Sequence, residues 1–217
     1  MDISDDLGQT FYGILGYDAV DAMNKMDAND SQSTRRDFVR TAFAAIEGWL
    51  WNYRQKVQST IGTVRDFSAL EKSAFAETSY IISETGKLRD QTRFTPMATM
   101  FRFVTRIAEE QYGEQLVDFG SSEWKNFVYE IAIRNRVTHP KTIMDLTLSD
   151  VDIATVKAAL LWFFEMVVTG SEKLKLLLDD HLQSMREVSQ ALAAGDPVML
   201  ELYNAVLESR DNNAPTL

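Results

Sequence analysis

The chain has 217 residues, 45% of them hydrophobic and 25% charged, and a formal net charge of −10. Length and composition fit one globular domain, or one domain with a small appendage, and ten glycines and four prolines exclude a collagen-like or low-complexity chain. The absence of cysteine excludes disulfides, thiolate metal sites and thiol catalysis, and two histidines, His139 and His181, are too few for the usual catalytic zinc centre.

The chain reads as all-α, an antiparallel helical bundle with additional terminal helices. Residues 1–30 hold seven aspartates and one lysine. They form an acidic N-terminal segment with room for a short helix around Phe11, Tyr12 and Tyr17. A single helical domain follows over 31–210. Its first long helix runs from Ser33 to Gln58 on a stripe of Phe38, Ala42, Ile46, Trp49, Tyr53 and Val57, spaced three and four apart. Gly62 falls just beyond its expected end. A second helix is expected over Phe67–Gly86, with Asp66 as N-cap and Leu70, Ala74 and Ile81 inward. A third has Pro96 in its first turn, capped by Thr95, and runs to Tyr112.

Gly120-Ser121-Ser122 opens a fourth helix over Glu123–Thr138, which Pro140 closes. A fifth begins at Ser149-Asp150-Val151-Asp152 and ends near Gly170. A further helix is expected over Glu172–Ala194, and a last one after Asp196-Pro197. Residues 211–217 read as a frayed tail. No alternating run or Asn-Gly turn signals a hairpin.

The longest apolar run, Ala158 to Val168, is interrupted by Glu165 and falls short of the ~20 residues of a membrane span. The acidic start is unlike a signal peptide, so a cytoplasmic protein without a membrane partner is expected. Charge is uneven along the chain. Residues 31–108 carry twelve Lys/Arg against seven Asp/Glu, whereas 109–217 carry nine against eighteen.

The fourth helix breaks its own pattern. Trp124, Phe127, Val128 and Ile131 form an apolar stripe, and one more turn carries it through Arg134, Asn135 and Thr138, with His139 beside it. Burying an unpaired arginine is costly. These groups are therefore expected either to pair with other buried polar groups or to line a cleft or subunit interface. Pro140 biases His139 out of the α region and frees its imidazole to project.

The string Arg134-Asn135-Arg136-Val137-Thr138-His139-Pro140 resembles the signature of the HEPN family: an arginine, a polar residue that is often asparagine, three further residues, a histidine and often a proline. The resemblance covers about Trp124 to Val168; the rest of the chain is compatible in class only. It implies a helical bundle that dimerises through the motif helices, and a metal-independent endoribonuclease whose composite cleft holds two copies of the motif. Such proteins commonly act in toxin–antitoxin and antiviral defence systems, which brings an antitoxin or regulatory protein in as a partner.

The residue types suit that chemistry. Imidazole serves as base or acid near neutral pH, and arginine holds phosphate oxygens bidentately. Arg134 and His139 are thus the catalytic candidates, with Asn135 orienting the imidazole or binding a phosphate oxygen. A symmetric dimer supplies two histidines, one for each proton transfer. The expected products are a 2′,3′-cyclic phosphate and a 5′-hydroxyl, formed without metal or cofactor. Lys125, Arg136 and Lys141 flank the motif and are candidates for contacting the RNA, a tRNA among the possible substrates.

The competing reading is a non-catalytic dimerisation or interaction module acting as a regulatory subunit. In that case Arg134 pairs with Glu130 one turn earlier and His139 is a simple helix cap. Accessibility separates the two readings: catalysis needs an open, unsaturated pair, a structural role a buried and fully bonded one.

Overall fold

The computed structural model describes residues 10–212, with side chains described to 208. The beginning of the acidic segment lies outside these residues, as does the expected tail from 213 onward. Seven α-helices, one two-stranded hairpin and a 3-10 turn are found among them, so the chain is mostly helical. They fall into two compact units, Met1–Leu174 and Lys175–Leu217.

Helix α1 (Phe11–Ala28) starts at Thr10, whose Oγ1 accepts the Gly13 N–H at 3.0 Å. Helix α2 (Gln32–Val64) follows after three residues, opened by a reciprocal cap between Ser31 and Thr34. All six residues of the stripe read from the sequence are buried in α2. The helix continues past Gln58 through Gly62, because a lone glycine costs only about 1 kcal/mol in a packed helix.

The second expected helix is largely overturned. Helix α3 (Ala69–Ala76) is capped by Ser68 and Glu71 rather than Asp66, and it ends at Glu77, which has φ 50°. The chain then forms strands β1 (Thr78–Ile82) and β2 (Leu88–Thr92), antiparallel, with Thr78 opposite Thr92 and Ile82 opposite Leu88. The β-branched and aromatic run Thr-Ser-Tyr-Ile-Ile suits a strand better than a helix. Leu70 and Ile81, expected inward, are exposed.

Helix α4 (Met97–Tyr112) has Pro96 itself at the cap position. The Thr95 N–H goes instead to Glu77 Oε1 at 2.9 Å, so Thr95 does not cap it. Helix α5 (Ser122–Thr138) begins at Ser121, whose hydroxyl accepts the Trp124 N–H. Helix α6 (Asp150–Ala193) runs unbroken for 44 residues, where two helices were expected. Gly170 lies inside it because a Cβ there would sit 2.6 Å from Tyr53 Oη; the missing side chain admits the Tyr53 ring. Helix α7 (Pro197–Asn212) completes the described chain.

Long-range contacts fix the directions in the first unit. Arg35–Asp150, Trp49–Phe164 and Lys56–Ser171 share one offset of 115 residues, so α2 and α6 run parallel in constant register. Helix α5 runs against both: Arg134 meets Glu47 while Arg40 reaches the Val137 carbonyl, and Trp124 meets Trp162 while Arg136 meets Asp152. Helix α1 folds back on α2, with Phe11 against Trp51 and Trp49 Nε1 bonded to the Tyr12 carbonyl. The core between α4, α5 and α6 is aromatic: Phe101 packs on Trp124, Phe127, Trp162 and Phe163. Each such pair contributes ~0.5–1.5 kcal/mol beyond its buried area.

Candidate functional site

The seam that α5 buries differs from the expected stripe. Trp124, Phe127, Glu130, Ile133 and Val137 are buried, whereas Val128 is 42% exposed. The helix is thus turned so that Lys125, Val128, Ala132, Asn135 and His139, spaced three and four apart, form one exposed stripe. Asn135 and Thr138 lie on the solvent side, not at the end of the buried seam.

Arg134 takes the other side of the helix, toward α2. Its Nη2 is paired with Glu47, and its Nη1 donates to Asn135 Oδ1 at 3.1 Å; its side chain is 25% exposed. The pairing expected with Glu130 does not form. Arg134 and His139 are about 140° apart around α5 by the helical period. No hydrogen bond joins their side chains among the described residues.

His139 is the C-cap of α5, at φ −125° and ψ 59°, outside the α region as the following proline requires. Its N–H bonds to the Asn135 carbonyl at 2.9 Å. The residue is exposed, and no hydrogen bond or ion pair engages its imidazole among the described residues.

Two further cations converge on this end of α5. Arg40 donates to the Val137 carbonyl at 3.2 Å, and Arg36, one turn earlier on α2, to the Leu146 carbonyl at 3.0 Å. Sequence reasoning passed over both. The i, i+4 arginine spacing was visible, but not that α2 lies along α5.

Arg136 is not the solvated charge its position off the stripe suggested. It donates to Asp152 Oδ2 at 2.8 Å. Burial alone would raise the Asp152 carboxyl, but the Ser149 N–H and hydroxyl, together with Arg136, hold it below the usual value. Arg136 therefore ties the end of α5 to the start of α6. Lys125 and Lys141 are exposed and carry no side-chain bond among the described residues. The Lys141 N–H instead joins a turn closed by Asp145.

Glu130 was not foreseen as special. It is 0% exposed, and neither carboxylate oxygen has a partner. Burial pushes its carboxyl up to about 8, so the group is held largely neutral.

The basic middle segment is partly consumed by the fold. Arg35, Arg54 and Arg65 are in ion pairs, and Arg102 lies over the Phe119 and Trp124 rings. Lys72, Lys87, Arg89, Arg93 and Arg106 stay exposed without an ion pair among the described residues. Cavities of about 380 Å³ and 310 Å³ lie at Asp18–Thr41 and around Arg35 and Lys157, away from the motif. Among the described residues no cluster of three metal-ligating side chains occurs. No described helix is long and apolar enough to cross a membrane.

No family model, curated protein or solved structure matches the chain.

Proposed function

We propose that the chain is a metal-independent endoribonuclease of HEPN type, acting as a homodimer through α5 in a toxin or antiviral defence system. The observation that carries this reading is His139: an exposed, unengaged imidazole at a helix end, one turn from Asn135 and on the same stripe. Arg40 is bonded at that helix end, Arg36 at the 3-10 turn that follows it, and Arg134 stands one turn earlier on the α2 side. Val128 and Tyr129, 42% and 57% exposed, give the stripe apolar area with which a second copy can meet it.

In such a dimer the two imidazoles divide the work. One takes the 2′-hydroxyl proton as that oxygen attacks the phosphorus; the other delivers a proton to the departing 5′-oxygen. Arg134, released from Glu47 toward the phosphate, offsets the charge that builds on the non-bridging oxygens. Asn135 keeps the imidazole oriented. Lys125 and Lys141 hold flanking phosphates.

Incubation with total tRNA and with an unstructured RNA in EDTA tests the reading. Cleavage leaving 2′,3′-cyclic phosphate and 5′-hydroxyl ends is expected; a strict need for a divalent metal would count against it.

The second reading, a non-catalytic dimerisation module, is favoured by the Arg134–Glu47 pair, which occupies the candidate phosphate-binding group. Under it, Glu47→Gln and Arg134→Ala change stability or dimer affinity and no RNA is cut.

A further inference from the structure

The second unit contains the end of α6, the Ala194–Asp196 turn and α7. Its reversal is well defined. Gly195 has φ 76°, its N–H bonds to the Leu192 carbonyl at 3.1 Å, and the Asp196 N–H bonds to the Ala191 carbonyl at 3.0 Å. Asp196 Oδ1 then accepts the N–H groups of Val198 and Met199 at 2.9 and 3.1 Å. Both helix ends are satisfied, yet nothing from 175 to 208 is buried.

The exposed surface is patterned. On α7, Val198, Leu200, Leu202, Tyr203, Val206 and Leu207 sweep an arc of roughly 200° at 100° per residue. Glu201, Asn204 and Glu208 take the remainder. A helix packed on one neighbour needs an apolar stripe of only ~100°. On α6, Leu178, His181, Met185, Val188 and Leu192 recur at three and four. The positions beside that stripe are Leu177, Leu182, Ser184, Ser189 and Ala191, none of them charged, and Lys175 at its N-terminal edge. Asp179, Asp180, Arg186 and Glu187 stand on the far side of the helix.

We propose that this unit is a self-association module, in which the pair α6–α7 meets the same pair of a second copy, apolar arc to apolar arc, as a four-helix arrangement. Area and charge both favour a second copy as the occupant. Nine large apolar side chains on these two arcs are each 39–61% exposed. They present on the order of 900 Å², close to the roughly 800 Å² per partner of a standard interface. Apart from Lys175 at its edge the seam is uncharged, so two copies bring few like charges together. A cationic partner would find the acidic groups only on the far side. The pairing needs no RNA and does not depend on the ribonuclease reading. Where α5 also pairs, it joins dimers into a larger assembly.

Light scattering on the full chain, with Met185→Glu and Leu202→Glu beside it, tests the proposal. Both side chains are more than half exposed in the single chain, so helicity by circular dichroism is expected to hold. Each substitution sets two like charges in the seam, and the molar mass is expected to halve. Glu201→Gln, on the far side, leaves it unchanged. A wild-type chain that is monomeric at tens of micromolar overturns the proposal, as do folded variants of wild-type mass. A second measurement needs no destabilising change, because the chain has no cysteine. Val206→Cys is expected to form disulfide-linked pairs at least tenfold faster than Glu201→Cys; equal rates overturn the proposal.

Discussion

Glu130 lies one turn before Arg134 on α5, fully buried and without a partner for either oxygen. The folded chain favours its neutral form up to about pH 8, whereas the unfolded chain ionises it near 4.5. Stability is therefore unaffected by this group below pH 4.5. It falls between 4.5 and 8 by about 1.4 kcal/mol per pH unit, and levels off above. Glu130→Gln removes that slope. Thermal melts of variant and wild type should diverge from pH 5 to pH 8, the variant gaining ~2–4 °C for each kcal/mol; parallel pH curves would refute the account of this carboxyl. Arg136 gives a second test at this scale. Because it bonds Asp152, which also closes the Ser149 cap, Arg136→Ala is expected to lower stability by ~1–3 kcal/mol. RNA affinity lost at an unchanged melting temperature would return Arg136 to the RNA-contacting role. Neither role was legible in the sequence. Arg136 and Asp152 are sixteen residues apart, and only the antiparallel turn between α5 and α6 brings them together. Glu130 looked like an ordinary i−4 partner for Arg134 until α2 offered Glu47 instead.

Among the elements, most helices were readable, but the hairpin and the continuity of α6 through Gly170 were not. The stripe from Phe38 to Val57 is buried as its spacing predicts, because one periodic signal is repeated over five turns. His139 left the α region where Pro140 said it should. The hairpin was missed because Ile81 continued a plausible helical spacing, while the stop at Glu77 is a left-handed residue that no glycine announced. Gly170 misled in the opposite sense. It read as a helix end, but its role is to admit the Tyr53 ring. Gly170→Ala therefore sets helix propensity, a gain of about 1 kcal/mol, against a clash costing ~1–3 kcal/mol. A lower melting temperature is expected; a higher one would mean that the ring moves aside freely. The exposed face of α5 was misplaced by a similar local ambiguity. Val128 and Ile131 are apolar, yet the helix turns Glu130 inward and leaves Val128 on the stripe with His139.

At the scale of the molecule, the helical bundle was legible from composition and periodicity alone. The geometry of the candidate site was not. One chain puts Arg134 on the α2 side of α5 and His139 on the open side, so the proposed chemistry depends on a second copy at α5. The most direct measurement is single-turnover RNA cleavage in EDTA by wild type, Arg134→Ala and His139→Ala, with analysis of the new ends. The account predicts 5′-hydroxyl ends and rates roughly 10²–10⁴-fold lower for His139→Ala, with a comparable loss for Arg134→Ala. Cleavage by folded His139→Ala at the wild-type rate, or 5′-phosphate ends, would contradict it.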